Sequence, residues 1–296
     1  MNTDQKLVQK ILILLVVSIP VILMPGCAAK KTIAESPETG ITLKYKLPGD
    51  PGLYYTTRSD IKQEMNIQGQ VIGANIEQVM AFELNPVAID DGKMTFNITM
   101  DTLEMDVKSP MANFSANTAN VLGKSFNMVL SDTGEELDLS EAESLEYSIA
   151  QAGNRSVALN FQTFFPDLPD QKIKIGDTWM ETDTITEESD TEEVLMILTS
   201  NNRFEGMETV EGYECVKVVA TLSGPRTGIQ NAQGVTLKTE GEVEGTMTWY
   251  FAFKEGIYVK SVMDSSSEST ITASGAQNIS FPMKMDIQSV VEVAKR

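Results

Sequence analysis

Two thiols and no imidazole bound the chemistry open to this 296-residue chain. Without histidine, neither a Ser–His nor a Cys–His nucleophile can be assembled, and zinc sites built on imidazole are out of reach. Cys27 and Cys215 are the two cysteines, too few for a thiolate cluster. No glycine-rich phosphate loop and no dinucleotide fingerprint is present. No catalytic residue, metal site or cofactor is expected, and the chain reads as non-enzymatic.

Ser59-Asp60-Ile61-Lys62 has the Ser-x-x-Lys spacing used by penicillin-binding enzymes. Here it falls in a strand-like run rather than at the start of a helix, and the companion motifs are missing, so coincidence explains it. Carboxylates are the remaining reactive groups. Asp183 to Glu193 holds Asp183, Glu187, Glu188, Asp190, Glu192 and Glu193 without the spacing or the closing glutamate of a calcium loop. The simpler reading is a solvated hairpin tip between two strands. Weak calcium binding stays open, as does a hydrolase working with two carboxylates, since such a pair forms only in three dimensions.

Methionine supplies a softer signal. Many methionines fall on apolar strand faces, among them Met80, Met94, Met100, Met128, Met247, Met283 and Met285. Core filling is the plain reading. The other is an adaptable apolar cavity, because a thioether chain accommodates ligands of varied shape. Its candidate lining is Met80, Met94, Phe96, Met100, Phe126, Met128, Phe161, Phe165 and Trp249.

The start of the chain carries an address. Lys6 and Lys10 precede an apolar run, Ile11 to Met24, broken only by Ser18 and Pro20. At about 14 residues the run is shorter than the roughly 20 that a membrane-spanning helix needs. A basic start, a short apolar middle and a small residue before the cut describe an export signal over residues 1–26. Met24-Pro25-Gly26-Cys27 resembles the lipobox of bacterial lipoproteins, with methionine where leucine is usual. That resemblance implies cleavage between Gly26 and Cys27, and acylation of the Cys27 thiol by palmitate-class chains. Cys215 would then have no disulfide partner and would serve as a small buried apolar residue.

Removing the signal takes away two lysines and one aspartate, so the net charge of −19 becomes −20. Such acidity argues against nucleic acid as a partner and against a basic membrane-facing patch. Attachment to the membrane falls to acyl chains, each buried methylene contributing about 0.8 kcal/mol. Residues 27–40 read as the lipidated end and a flexible tether, with small and charged residues and no apolar period.

From Ile41 onward, alternation with a period of two dominates. Met94, Phe96, Ile98 and Met100 share one parity and Leu103, Met105 and Val107 the other, which predicts a β-bulge between Met100 and Leu103. Turn signals at Pro48–Gly52, Asp90–Gly92, Asp132–Gly134 and Lys254–Gly256 separate the runs. The fold expected is mainly β: antiparallel curved sheets or half-barrels, built as two related β units with two short helices between them. Ser140 and Glu143 have capping-box spacing, which predicts a helix from Ser140 to Ala152; a second is expected from Arg155 to Phe165. The units span 41–138 and 171–296, joined by a helical connector at 139–170. Echoes at offsets of 124, 120 and 122 residues support the duplication: Gly52–Tyr55 with Gly176–Trp179, Asp91-Gly92 with Glu211-Gly212, and Gly123–Gly134 with Gly245–Gly256.

Gly123-Lys124-Ser125-Phe126 leading to the turn Leu130–Gly134, and Lys174–Trp179, give the chain a resemblance to a family of uncharacterised bacterial lipoproteins that share a domain of unknown function. The resemblance implies no activity. More distantly, the strand pattern is similar to that of the half-barrels of periplasmic lipoprotein carriers, a fold-level analogy alone. The expected function is a cell-envelope lipoprotein, membrane-anchored, that binds an apolar or amphipathic lipid-like ligand on a concave sheet beneath the helices. The alternatives are an adaptor that docks an envelope protein complex and, last, the carboxylate-dependent hydrolase. In a cell with two membranes, Ala28 does not resemble the aspartate that retains lipoproteins at the inner one. The outer membrane, facing the periplasm, is the expected location.

Overall fold

The computed structural model describes residues 36–110, 113–149, 153–188, 192–232, 235–274 and 278–294. The export signal expected over residues 1–26 and Cys27 lie outside the described residues. Everything below concerns the compact unit Glu35–Arg296.

Alternating apolar residues produce the expected strands. The first group is β1 (Leu53–Ile67), β2 (Gln70–Asp90), β3 (Lys93–Lys108), β4 (Asn113–Ser115), β5 (Ser125–Ser131) and β6 (Glu136–Asp138). The second is β9 (Thr178–Glu188), β10 (Glu192–Val210), β11 (Tyr213–Ala232), β12 (Val235–Ala252), β13 (Ile257–Ser274) and β14 (Ile279–Ala294). All belong to one antiparallel sheet in the order β6-β5-β3-β2-β1-β14-β13-β12-β11-β10-β9, with β4 added beside β3. The two groups meet where β1 pairs with β14 along its length, from Tyr54↔Ala294 to Met65↔Met283. The sheet is curved but does not close, leaving β6 and β9 as its edges.

Three hairpins turn on residue pairs with positive φ: Gln68-Gly69 (53°, 87°), Asp91-Gly92 (47°, 77°) and Glu211-Gly212 (49°, 80°). Two left-handed residues match the twist of the flanking strands, whereas ordinary turns would splay them. The expected bulge lies at Asp101. Ala81 faces Thr102 and Phe82 faces Met100, so Asp101 is the extra residue on β3. Met100 and Leu103 are therefore both fully buried despite their odd spacing.

The helices expected in the middle of the chain are not there. Ser140–Ala152 shrinks to a single turn, α1 (Ser140–Glu143), followed by a two-stranded hairpin of β7 (Glu146–Ile149) and β8 (Gly153–Ser156). The capping box does not form: Leu139 takes the N-cap position without a side-chain bond, and the Ser140 N–H is taken by Asp138 Oδ1 at 2.9 Å. Arg155–Phe165 contains only a 3₁₀ turn, Val157–Asn160, which the Ser156 hydroxyl caps by accepting from Ala158 N. The apolar spacing there is real, but its cause is tertiary. Val157, Phe161, Phe164 and Phe165 are buried against the sheet, and the backbone bonds are those of short turns: Phe161 N to Ala158 O and Phe164 N to Phe161 O, with Val157 N reaching Leu145 O.

The packed core occupies one end of the sheet. Phe82, Met94, Ile98, Met100, Phe126, Met128, Phe204 and Phe251 are almost completely buried there. A second, smaller cluster of Ile271, Phe281 and Met283 sits apart, with Met65, Ile67 and Leu237 against it. β2 alone runs for 21 residues, where strands commonly have about 5–6, so the long strands extend well past the main core. Ahead of β1, residues 36–40 form a tight turn, and Ile41 pairs with Ile173 while Tyr45 N donates to Asp132 O.

Candidate ligand cavity

Residues 157–170 cross the gap between the two edges of the sheet, and each side of the crossing is tied down. Leu168 N donates to Thr133 O at 2.7 Å and Phe165 N to Glu136 Oε1 at 3.3 Å, on the β6 side. On the β9 side Gln162 bonds the backbone of Thr186, and on β2 Gln78 Nε2 donates to Asn160 Oδ1 at 3.1 Å. Tyr45, buried against Phe165 and Phe251, donates its Oη hydrogen to Pro166 O at 2.9 Å. Gly134 lets this approach happen: its φ is +107°, and a Cβ there would lie 2.6 Å from Pro166 O and 2.8 Å from the Tyr45 ring.

Aromatic packing anchors the crossing on its inner side. Phe164 meets Tyr55 and Phe82 edge-on, with ring centroids 5.4 and 5.1 Å apart, and Phe165 meets Tyr55 at 6.0 Å. Tyr55 Oη donates to Tyr258 O at 2.7 Å, and Tyr258 Oη bonds Ser261 Oγ at 2.5 Å, so both buried phenols are satisfied.

Between the crossing and the concave sheet face lies a cavity of about 300 Å³. Met80, Phe164, Phe165, Leu222, Met247, Trp249, Met263 and Val291 supply apolar wall; Thr57, Ser59, Asn160, Ser200, Asn202 and Ser289 supply hydroxyls and amides. Much of the polar lining is internally paired: Trp249 Nε1 donates to Asn202 Oδ1 at 3.2 Å, and Ser59 and Ser289 share a 2.9 Å bond. Of the lining expected from sequence, Met80, Phe165 and Trp249 are on the wall. Met94, Phe96, Met100, Phe126, Met128 and Phe161 lie in the packed core away from that wall. Alternation assigns a residue to the inner face but not to a position along the strand, and the core end fills completely while the cavity opens further along.

Asp167 and Asp183 form the charged part of the wall. Both also line an adjoining recess of about 470 Å³ with Glu135, Glu136, Asp170 and Glu181. Burial, followed by the neighbouring Asp183 charge, pushes Asp167 up to about 7; burial also raises Asp183. Burial raises Glu136 to about 9, even though the Phe165 N–H opposes the shift. No lysine or arginine lines either recess.

Asp183 and Glu187 are therefore not part of a solvated hairpin tip. They are partly buried on the inner side of β9, and Glu187 pairs with Arg155 at 2.6 Å, both side chains about five-sixths buried. Residues 189–191, at the tip itself, lie outside the described residues. Among the described residues no group of three or more His, Cys, Asp or Glu is placed to hold a metal ion. Ser59 and Lys62 are both on β1, and their odd and even positions put them on opposite faces of the sheet. Cys215 is fully buried in β11, its thiol pushed up to about 12 by burial. Sequence reading missed Asp167 because it stands alone between Pro166 and Leu168; its partner is 16 positions away and meets it only through the fold.

The fold and cavity define a class: a mainly β protein with an open, curved antiparallel sheet and a ligand-sized recess under a crossing segment. No protein-family model matches the chain, and no curated protein matches it either. Among solved structures it is similar to a Bacteroides fragilis protein described as exported, with a YMCC-like fold, at 12% identity and a TM-score of 0.28, covering 85% of this chain and 100% of that one. It is also similar to OccK2 (OpdF) of Pseudomonas aeruginosa in complex with glucuronate (8% identity, 85% and 98% coverage, TM-score 0.22). A third likeness is to an outer membrane channel of Pseudomonas putida F1 (8%, 84% and 98%, TM-score 0.19). Likenesses this slight carry no conclusion about function. Among the described residues no helix is long and apolar enough to cross a membrane.

Proposed function

We propose that the chain is a cell-envelope lipoprotein, anchored through acylated Cys27 and facing the periplasm from the outer membrane where there are two membranes. Its work is to bind a small amphipathic ligand in the cavity beneath residues 157–170. The cavity carries this reading: apolar and hydroxyl groups interleave around about 300 Å³, at the lower end of the ~300–1,000 Å³ range of small-molecule sites. The anchor rests on the spacing of Lys6, Lys10, the apolar run and Gly26-Cys27.

The Asp167–Asp183 pair supplies the two inward acids that a carboxylate-dependent hydrolase would need. A hydrolase acting on a glycosidic bond also needs its two carboxyls about 5 Å or more apart, with the scissile linkage held between them. The apolar and hydroxyl lining around the pair is what favours a binding site.

Extraction of the purified full chain followed by mass spectrometry is expected to release one class of small amphiphile; protein that is consistently empty counts against binding. Separately, Cys27→Ser is expected to abolish fatty-acid labelling and free the protein from membranes. A variant still membrane-bound and as well labelled as the parent would remove the anchor.

A further inference from the structure

We propose that the ligand is an organic cation, an ammonium group on an aromatic or short alkyl body, held with its charge at Asp167 and Asp183. This rests on the ligand-binding reading above and adds the sign of the charge.

The lining decides the sign. Asp167 and Asp183 are its charged residues, and Glu135, Glu136, Asp170 and Glu181 stand behind them in the adjoining recess. An anionic head entering this cavity would meet carboxylates with no lysine or arginine to offset them, and in a partly dry site that repulsion is poorly screened. Fatty acids and phospholipids are thereby disfavoured. A cation meets two acceptors directly, and Phe164, Phe165, Trp249 and Tyr258 are among the lining, a residue class whose rings attract positive charge. The size fits one ring or a short chain and not a pair of long acyl chains. The net charge of −19 on the whole chain concentrates cations near it and speeds their arrival.

Proton exchange follows. In the empty cavity the aspartate pair retains a proton near neutral pH, because burial and mutual proximity disfavour two charges. A bound ammonium takes over that role, and the proton leaves to solvent. The groups facing the pair are Glu135 and Glu136 beside β6, Asp170 on the crossing and Glu181 on β9, all acidic, so none supplies a competing positive charge. Affinity should rise with pH through the region of about 7, where the free pair still holds its proton.

The test uses the full chain in detergent micelles, with three probes that share one ring: 3-phenylpropylammonium, 3-phenylpropanol and 3-phenylpropionate. Calorimetry is run at pH about 6 and about 8, with micelle-only titrations subtracted. The ammonium should bind about tenfold tighter than the alcohol, the carboxylate should be weakest, and ammonium affinity should rise at the higher pH. Asp167→Asn/Asp183→Asn, isosteric with the protonated pair, should remove the preference for the ammonium over the alcohol. Equal binding of alcohol and ammonium, or tighter binding of the carboxylate, overturns the cation and leaves the cavity standing. No binding of any probe by protein that still unfolds cooperatively removes both. Should the double variant not fold, the probe series on the unaltered chain decides.

Discussion

Gln162 makes with Thr186 the two hydrogen bonds that a neighbouring strand would make. Its Nε2 donates to Thr186 O at 2.9 Å and its Oε1 accepts from Thr186 N at 3.1 Å. One side chain thus occupies part of the exposed edge of β9, which would otherwise offer unpaired backbone groups to other chains. Gln162→Ala is expected to cost about 1–3 kcal/mol for the two bonds, read by urea unfolding. It should also increase proteolytic cutting within residues 157–170. An unchanged cutting pattern would show that the amide clamp does not hold the crossing.

Gly134 tests the approach of the crossing to the β5–β6 turn. Gly134→Ala places a Cβ 2.6 Å from the Pro166 carbonyl at a φ of +107°. Neither relaxes without moving backbone, so a loss of about 2–4 kcal/mol is expected on thermal or urea unfolding, beyond the cost of φ strain alone. A loss under about 1 kcal/mol would mean that the Pro166 carbonyl moves away freely.

Glu136 links stability to pH. Its folded pKa of about 9 exceeds the ordinary carboxyl value of 4.5, so between these limits the folded state holds a proton that the unfolded state has lost. Stability therefore falls as pH rises across that window and is unaffected by this group below it. Asp167, raised to about 7, contributes the same sign but completes its titration earlier. Glu136→Gln keeps an acceptor for Phe165 N, and should flatten the pH–stability curve most clearly between about 7.5 and 9. Parallel curves for parent and variant would dismiss the linkage.

Arg155 and Glu187 join β8 to β9 through a 2.6 Å ion pair whose side chains are 16% and 17% exposed. Arg155→Ala leaves the partly buried carboxylate without its guanidinium. The expected loss is about 2–3 kcal/mol, somewhat under the cost of breaking a fully buried pair. Arg155→Lys should recover part of it, since the charge is kept and the planar fork is not. Equal stability of all three proteins would show the pair to be neutral.

Strand existence, turn positions and the bulge near Met100 were legible in the chain because each has a local cause. Alternation at period two, paired turn residues and a one-residue phase slip each need only a few neighbouring residues to declare themselves. Helix at Ser140–Ala152 and Arg155–Phe165 was misread for the complementary reason. Ser140 and Glu143 have the right spacing, yet Asp138 competes for the Ser140 N–H, and Phe161, Phe164 and Phe165 gain more by packing on Tyr55 and Phe82 than a short helix could offer. Helix signals are weak over so few residues, and tertiary contacts override them.

By itself the amino-acid order determined the absence of imidazole chemistry, the strongly acidic balance and the antiparallel β character, because composition and period are properties of the chain alone. Only the tertiary structure decided where the strands outrun the core, and so which of the inward methionines and aromatics face a cavity. It also brought Asp167, on the crossing, to the same wall as Asp183 of β9. The pKa of each is raised by burial, and that of Asp167 also by the charge of Asp183; both causes come from the folded chain rather than from the sequence around either residue.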